Sequence, residues 1–176
     1  NMSGMTCQTS ATVKFAATRA FCSLVQEEEM LRAGLAVLIG FANEDNSFYF
    51  GLDCLLQVTR KCPNSLGILG LEYHEFLLSI LNKRICDPLA TSVVVELVEV
   101  VYASSWGKNI AKTFAPQLHA WLVNRNDFEL DVALELIELL RNEPEITKCI
   151  AILPTVADIG ENTANSVKKI LDLVNY

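Results

Sequence analysis

The sequence predicts an all-α protein made of stacked helical repeats, and three observations predict it. The ten-residue stretch DVALELIELL, from Asp131 to Leu140, places Val132, Ala133, Leu136, Ile137, Leu139 and Leu140 at helical spacing. Asp131, Glu135 and Glu138 are interleaved between them, which makes an amphipathic helix with a broad apolar face. That helix recurs as FGLDCLLQVT from Phe50, SVVVELVEVV from Ser92 and NSVKKILDLV from Asn165, with a weaker copy, AATRAFCSLV, from Ala16. The starts are 34, 42, 39 and 34 residues apart, a period that marks stacked helical units. A second column of segments precedes the first: LAVLIGF from Leu35, LLSIL from Leu77, HAWLV from His119 and PTVADI from Pro154.

Each element has a local reason. Residues 1–9 are small and polar and are expected to be flexible, with residues 10–176 forming one domain. Thr9 or Ser10 is a candidate cap for a first helix reaching about Gln26. The run Glu27-Glu28-Glu29 suits the N-terminus of the next helix, where negative charge meets the helix dipole. That helix carries Leu35, Leu38, Ile39 and Phe41 until NEDNS breaks it. Asn46 or Ser47 caps the Phe50 copy, which ends near Cys62-Pro63. After NSLGILG, the segment LEYHEFLLSILN is apolar at Leu77, Leu78, Ile80 and Leu81.

Asp87-Pro88 is a start signal, a cap followed by proline in the first turn, for a helix over Ala90–Ala103. Its consecutive valines favour a strand, but Glu96, Leu97 and Glu99 keep helical spacing, so a helix is expected. SSWGKN turns the chain into a short helix, Ile110–Phe114, which leads through Pro116 into QLHAWLVN. Asp127 is the expected cap of the Asp131 helix. Pro144 opens a short helix with Ile146 and Ile150, and Pro154 begins PTVADIG. Asn162 or Thr163 caps the last copy, which runs to Tyr176. Most units therefore read as a short first helix, a second helix, a polar turn and a long third helix.

The segments GKNIAKTFAPQLHAWLVNRNDFELDVALELIELL and EITKCIAILPTVADIGENTANSVKKILDLV carry a resemblance to the armadillo repeat. Pro116 and Pro154 lie near the start of second helices, as in that pattern, and the likeness to the armadillo/HEAT helical-repeat superfamily covers roughly residues 10–176. It implies an armadillo-like right-handed α-solenoid of about four to five repeats. It also implies a non-enzymatic protein–protein interaction scaffold or adaptor that recruits a partner peptide or helix on the third-helix face. The third-helix asparagine with which armadillo proteins grip an extended peptide is replaced here by Leu24, Val58, Val100, Leu139 and Leu173. Its companion tryptophan is replaced by Ala20, Cys54, Glu96, Glu135 and Lys169, so an asparagine ladder is not expected.

On such a face the polar positions would set Asp53 and Gln57, Glu96 and Glu99, Asp131, Glu135 and Glu138, and Asp172 on successive rungs. Like charges about 10 Å apart repel by roughly 0.4 kcal/mol in water and about 1.7 kcal/mol at an effective dielectric of 20. An acidic groove of this kind suits a basic helix or peptide; the plainer alternative is an ordinary solvated face. Lys168 and Lys169 interrupt the stripe at the last rung.

Composition agrees with this class. Of 176 residues, 51% are apolar and 20% charged, enough for a sizeable core. No apolar run reaches the roughly 18 residues that cross a bilayer, and NMSGMTCQTS contains neither a basic leader nor a hydrophobic segment. An intracellular protein, cytoplasmic or nuclear and without a membrane partner, is expected. Fourteen Lys and Arg against 21 Asp and Glu give a net charge of −7, which disfavours a nucleic-acid footprint and favours a basic partner. The six cysteines, Cys7, Cys22, Cys54, Cys62, Cys86 and Cys149, form no Cys-x-x-Cys pair and read as free thiols in a reducing compartment.

Trp121 is expected in the core, whereas Trp106, in a turn, is a candidate partner anchor. Phe48, Tyr49 and Phe50 suit packing between repeats. His74 and His119 lack further ligands at helical spacing, and no metal, cofactor or catalytic motif is found. Both ends are third-helix copies without a polar cap. The domain is therefore expected to belong to a longer protein, or to self-associate through its ends. The alternative functions are a structural or oligomerisation segment of a larger protein, or a regulatory domain of an attached enzyme.

Overall fold

The computed structural model describes residues 2–24 and 28–175, with side chains from Ala11 onward except at 25–28, 65 and 68. All regular structure among the described residues is helical. The chain divides into two compact units, Asn1–Ile68 and Leu69–Tyr176.

Unit 1 holds α1 (Met2–Leu24), α2 (Glu28–Asn43), α3 (Phe48–Lys61) and a 3-10 turn, Ser65–Ile68. The first helix begins ahead of the expected caps Thr9 and Ser10, whose side chains lie outside the described residues, as do Gln26 and Glu27. In α2, Leu31, Leu35, Leu38 and Ala42 recur every three or four positions and are all buried. That face packs on α3, whose Phe48, Leu52, Leu55 and Val58 are buried as well. Each such leucine contributes about 1.5–3 kcal/mol of burial. Helix α1 also packs on α3, through the fully buried Cys22.

The α2–α3 turn shows why these two helices lie so close. Ser47 occupies the N-cap of α3, as expected, but its hydroxyl donates back to the Phe41 carbonyl at 3.0 Å and leaves α3 without a side-chain cap. Gly51 meets the end of α2 directly, and a Cβ there would lie 2.4 Å from the Ala42 amide nitrogen. Phe15, Phe41 and Phe50, one from each helix, form a cluster with centroids 4.5, 5.4 and 5.6 Å apart. Phe50 thus has the packing role its position predicts, with Phe48 buried beside it and Tyr49 exposed.

Unit 2 holds α4 (Leu71–Arg84), α5 (Pro88–Tyr102), α6 (Ile110–Asn124), α7 (Asp127–Leu140), α8 (Thr147–Ile152) and α9 (Glu161–Val174). Three-residue 3-10 turns, Gly107–Asn109, Pro144–Ile146 and Leu153–Thr155, punctuate it. Helices α4 and α5 pair, as do α6 and α7. Helix α4 packs on α6 and α6 on α8, while α5 packs on α7 and α7 on α9, so the unit has two rows of helices. The Val-rich α5 is helical because Val94, Leu97, Val98 and Val101 keep one fully buried face. Asp87 starts it as expected, accepting from the Ala90 amide at 3.1 Å ahead of Pro88.

Four local expectations need correction. The short helix expected before Pro116 does not stand apart, because α6 runs unbroken with Pro116 inside it. Pro116 has no N–H to offer the Lys112 carbonyl. Nevertheless Ile110, Ala111, Phe114, Leu118, Trp121 and Leu122 stay buried on one face across it, and that burial outweighs the lost bond. PTVADI forms only the turn Leu153–Thr155, since Pro154 cannot continue α8; Leu153 and Val156 remain buried as anchors.

The cap of α7 is Asn126 rather than Asp127. Arg125 ends α6 in the left-handed region, φ 57°, which brings the Asn126 carboxamide oxygen to 3.1 Å from Phe128 N and 3.4 Å from Glu129 N. Helix α9 starts from Gly160, two or three residues before the expected Asn162 or Thr163, with the Ala164 amide bonded to the Gly160 carbonyl at 2.9 Å. Tyr176 lies outside the described residues. No helix among the described residues is long and apolar enough to cross a membrane.

Candidate partner-binding surface

The eight polar residues singled out by the repeat fall into two settings. In unit 2, Glu96 and Glu99 lie on α5, Asp131, Glu135 and Glu138 on α7, and Asp172 on α9. Glu96 and Glu138 are half-buried and the other four exposed. They lie outside the buried face because α5, α7 and α9 spend their apolar stripes on one another and on the partner row.

The strongest acid–acid coupling is within α7. The Glu135 carboxyl is held above the ordinary carboxylate range by partial desolvation of its head group first, then by Glu138 and Asp131. This is what one helical turn on either side imposes, since residues three and four apart are neighbours. Glu138 is already answered: Lys169 of α9 lies 2.6 Å from its Oε1. The lysine expected to interrupt the acidic stripe therefore does so by crossing from α9 to α7. On α7 the open acids are Asp131 and Glu135.

In unit 1 the setting of Asp53 and Gln57 is basic. They line an open groove of about 510 Å3 between α1 and α3, together with Leu56, Arg19, Arg60 and Lys61. Arg19 of α1 lies 3.5 Å from Asp53 and its guanidinium stands over the Phe50 ring, 5.4 Å from the centroid. Lys61 of α3 reaches back to donate to the Ser23 carbonyl of α1. Asp53 thus faces Arg19 in a groove that, among the described residues, is also lined by Arg60 and Lys61. The residues that sequence reading missed are these cations. Arg60 and Lys61 carry a weak signal, basic charge in the last turn of α3, where it meets the helix dipole. Arg19 carries none, because nothing in the chain order brings it to α3.

The positions where an asparagine ladder would stand differ among themselves. Val58 is fully buried, Val100 and Leu139 half-buried, and Leu24 and Leu173 exposed. Trp121 is in the core, as expected. Trp106 is half-buried, its ring stacked on the buried His74 at 5.1 Å and 7° and tilted against Tyr73 at 6.4 Å. It serves the interior of unit 2 as a lid on His74. His119 is exposed. Cys22 and Cys54 are free, buried thiols, with the Cys22 thiol donating to the Cys54 carbonyl at 3.9 Å. Burial pushes the Cys149 thiol up from its ordinary range. Among the described residues no group of three His, Cys, Asp or Glu could hold a metal ion.

Other concavities are formed by the described residues. One of about 620 Å3 lies between α6 and α8 over Pro116 and Pro144, and an apolar one of about 410 Å3 lies between α1 and α2 over Phe21 and Gly34. The first is also lined by Lys112, His119, Glu145 and Lys148, and the second also by Met30, Val37 and Leu38. Compared with protein-family models, with curated proteins and with solved structures, the chain has no significant match in any of the three.

Proposed function

We propose that this protein is a non-enzymatic interaction scaffold, an armadillo-like right-handed α-solenoid of about four to five repeats that recruits a basic peptide or helix on its third-helix face. The two rows of helices in unit 2 and the 39-residue offset from α4 to α6 and from α5 to α7 support the architecture. The pairs α4–α5 and α6–α7 each keep two long helices, whereas α8, ahead of α9, has only six residues; a 3-10 turn precedes α6 and another precedes α8. The observation that carries the binding role is the α7 face, where Asp131 and Glu135 are exposed and Glu135 is held up partly by its acidic neighbours. A cation placed there relieves that repulsion, which a solvated face with dispersed charge would not offer.

The test is a titration of the protein against a fluorescein-labelled oligoarginine peptide, read by anisotropy. Binding is expected, weakening with added salt as the partly exposed charges are screened. Asp131→Lys with Glu135→Lys is expected to reduce it at least about tenfold, with an unchanged helical spectrum. The Glu138–Lys169 pair is left intact by that design. Equal affinity in wild type and the double variant would sink the proposal.

A further inference from the structure

The two rows of helices in unit 2 differ in charge. Helices α4, α6 and α8 carry four Lys and Arg against two Glu, whereas α5, α7 and α9 carry two Lys against nine Asp and Glu. The basic row also holds the cleft of about 620 Å3 between α6 and α8. Lys112 and His119, two turns apart on α6, line it together with Lys148 of α8, and Glu145 is the one acid among its lining residues. Neither lysine enters an ion pair among the described residues, although the chain carries a net charge of −7. The cleft is held open in advance by its own packing. Cys149, buried in its lining, donates to the Ala115 carbonyl at 3.6 Å and ties α8 to α6. The rings of Pro116 and Pro144 fix the backbone on its two sides. A site that is already ordered loses less freedom on binding than a loose one does.

We infer that this cleft binds an extended acidic segment of a partner protein. The unpaired lysines set the sign of the ligand, and three features set its class. Lysine heads are point charges without the fork by which arginine holds a phosphate at two oxygens, and the lining includes no glycine to cradle one. Ala115, Pro116, Pro144 and Cys149 give the cleft an apolar part, which suits the methylene stems of glutamate beside the charged heads. Pro116 withholds an N–H from the Lys112 carbonyl, and an extended peptide brings N–H donors of its own. A helical ligand fits poorly. One helical turn, about 10–12 Å across and about 5.4 Å long, already fills roughly this volume, so the α7 helix of a second copy would be held by a single turn. The inference does not rest on the acidic α7 face, which belongs to the other row.

Anisotropy of a fluorescein-labelled hexaglutamate peptide, titrated with the intact chain, tests this. Saturable binding is expected at low salt, weakening as salt is added. Lys112→Glu with Lys148→Glu is expected to reduce affinity at least about tenfold. Lys112→Gln with Lys148→Gln, which adds no acid, shows the loss in a milder form if the reversed variant does not fold. Lys83→Glu with Lys108→Glu shifts the net charge equally outside the cleft and is expected to change affinity by less than about twofold. Glu145→Gln removes the acid from the lining and is expected to tighten binding about twofold or more. No binding by the wild type, or an equal loss in the Lys112/Lys148 and Lys83/Lys108 variants, overturns the inference. Displacement of the peptide by inorganic phosphate, at an ionic strength where chloride does not displace it, overturns the peptide as occupant in favour of a phosphate ligand. The oligoarginine titration reads the opposite row, so either result leaves the other standing.

Discussion

Unit 1 and unit 2 solve the same packing problem with different means. In unit 1 the helices close through rings and bare backbone: Phe15, Phe41 and Phe50 interlock, Gly51 abuts Ala42, and Ser47 ties off α2 without capping α3. In unit 2 the closures are polar. Asp87 and Asn126 cap α5 and α7, and Arg125 holds the α6–α7 turn by donating to the Thr155 carbonyl at 2.8 Å. Tyr102 donates to Glu143 at 2.7 Å, and its phenol is pushed up to about 12 by burial first and then by that carboxylate. The charge follows the same division, with nearly balanced signs in unit 1 and a surplus of acids in unit 2. One period of helices thus supports two units of different charge, because the period constrains only the apolar stripe.

The sharpest way to break this comparison is at the two glycines. A Cβ at Gly107 would lie 1.7 Å from the Val101 carbonyl oxygen, against 2.4 Å from the Ala42 nitrogen at Gly51. Both obstacles are backbone, so neither can give way cheaply. Gly107→Ala is expected to destabilise by about 3 kcal/mol or more and Gly51→Ala by about 2 kcal/mol. Urea unfolding gives the totals, and hydrogen exchange is expected to show each loss concentrated in its own unit. Equal protection losses across both units would show that the units do not open separately.

A pH effect is expected next, and only in unit 2. His74 is buried, neither ring nitrogen has a hydrogen-bond partner, and burial lowers its pKa below the ordinary 6.5. The unfolded chain therefore takes up a proton near pH 6.5 that the folded unit refuses. Stability is full above that pH and falls as pH drops below it, by up to about 1.4 kcal/mol per pH unit until the folded-state pKa is reached. His74→Phe, which keeps a ring against Trp106, is expected to remove this slope between pH 6.5 and 5 in thermal melts. An unchanged slope would place the acid sensitivity elsewhere.

The smallest expected effect separates the two kinds of helix start. Asn126→Ala removes the acceptor for two amides and is expected to cost about 1 kcal/mol. Ser47→Ala removes a bond to α2 and no cap of α3. Amide exchange in the first turn is therefore expected to quicken for α7 in the first variant and to stay unchanged for α3 in the second.

Much of the fold was legible in advance where the signal is local. The Asp87-Pro88 start, the helicity of the valine run and the burial of Trp121 all follow from a cap, a spacing and an apolar volume. The misreadings share one cause. Pro116 and Pro154 look alike in sequence, yet one lies inside a continuous helix and the other in a 3-10 turn. Six buried residues flank Pro116 on one face, and no comparable stripe follows Pro154. Asp127 and Asn126 are both good caps; the left-handed Arg125 selects the second. Of the candidate surface, the α7 acids were legible because they lie one helical turn apart. The groove cations were not, since Arg19 and Lys61 are far apart in the chain and meet only through α1 packing on α3.

The sequence by itself determined that this chain is helical, which residues of each helix turn inward, and that acids are placed at matching positions of the recurring helix. Those properties follow from spacing along a single element, which the chain order states directly. Only the tertiary structure decided what each charge faces: Asp53 meets Arg19, Glu138 meets Lys169, and Asp131 and Glu135 remain open. Electrostatic character depends on distances between elements, and those are set by how apolar stripes and a few bare glycines let the helices approach.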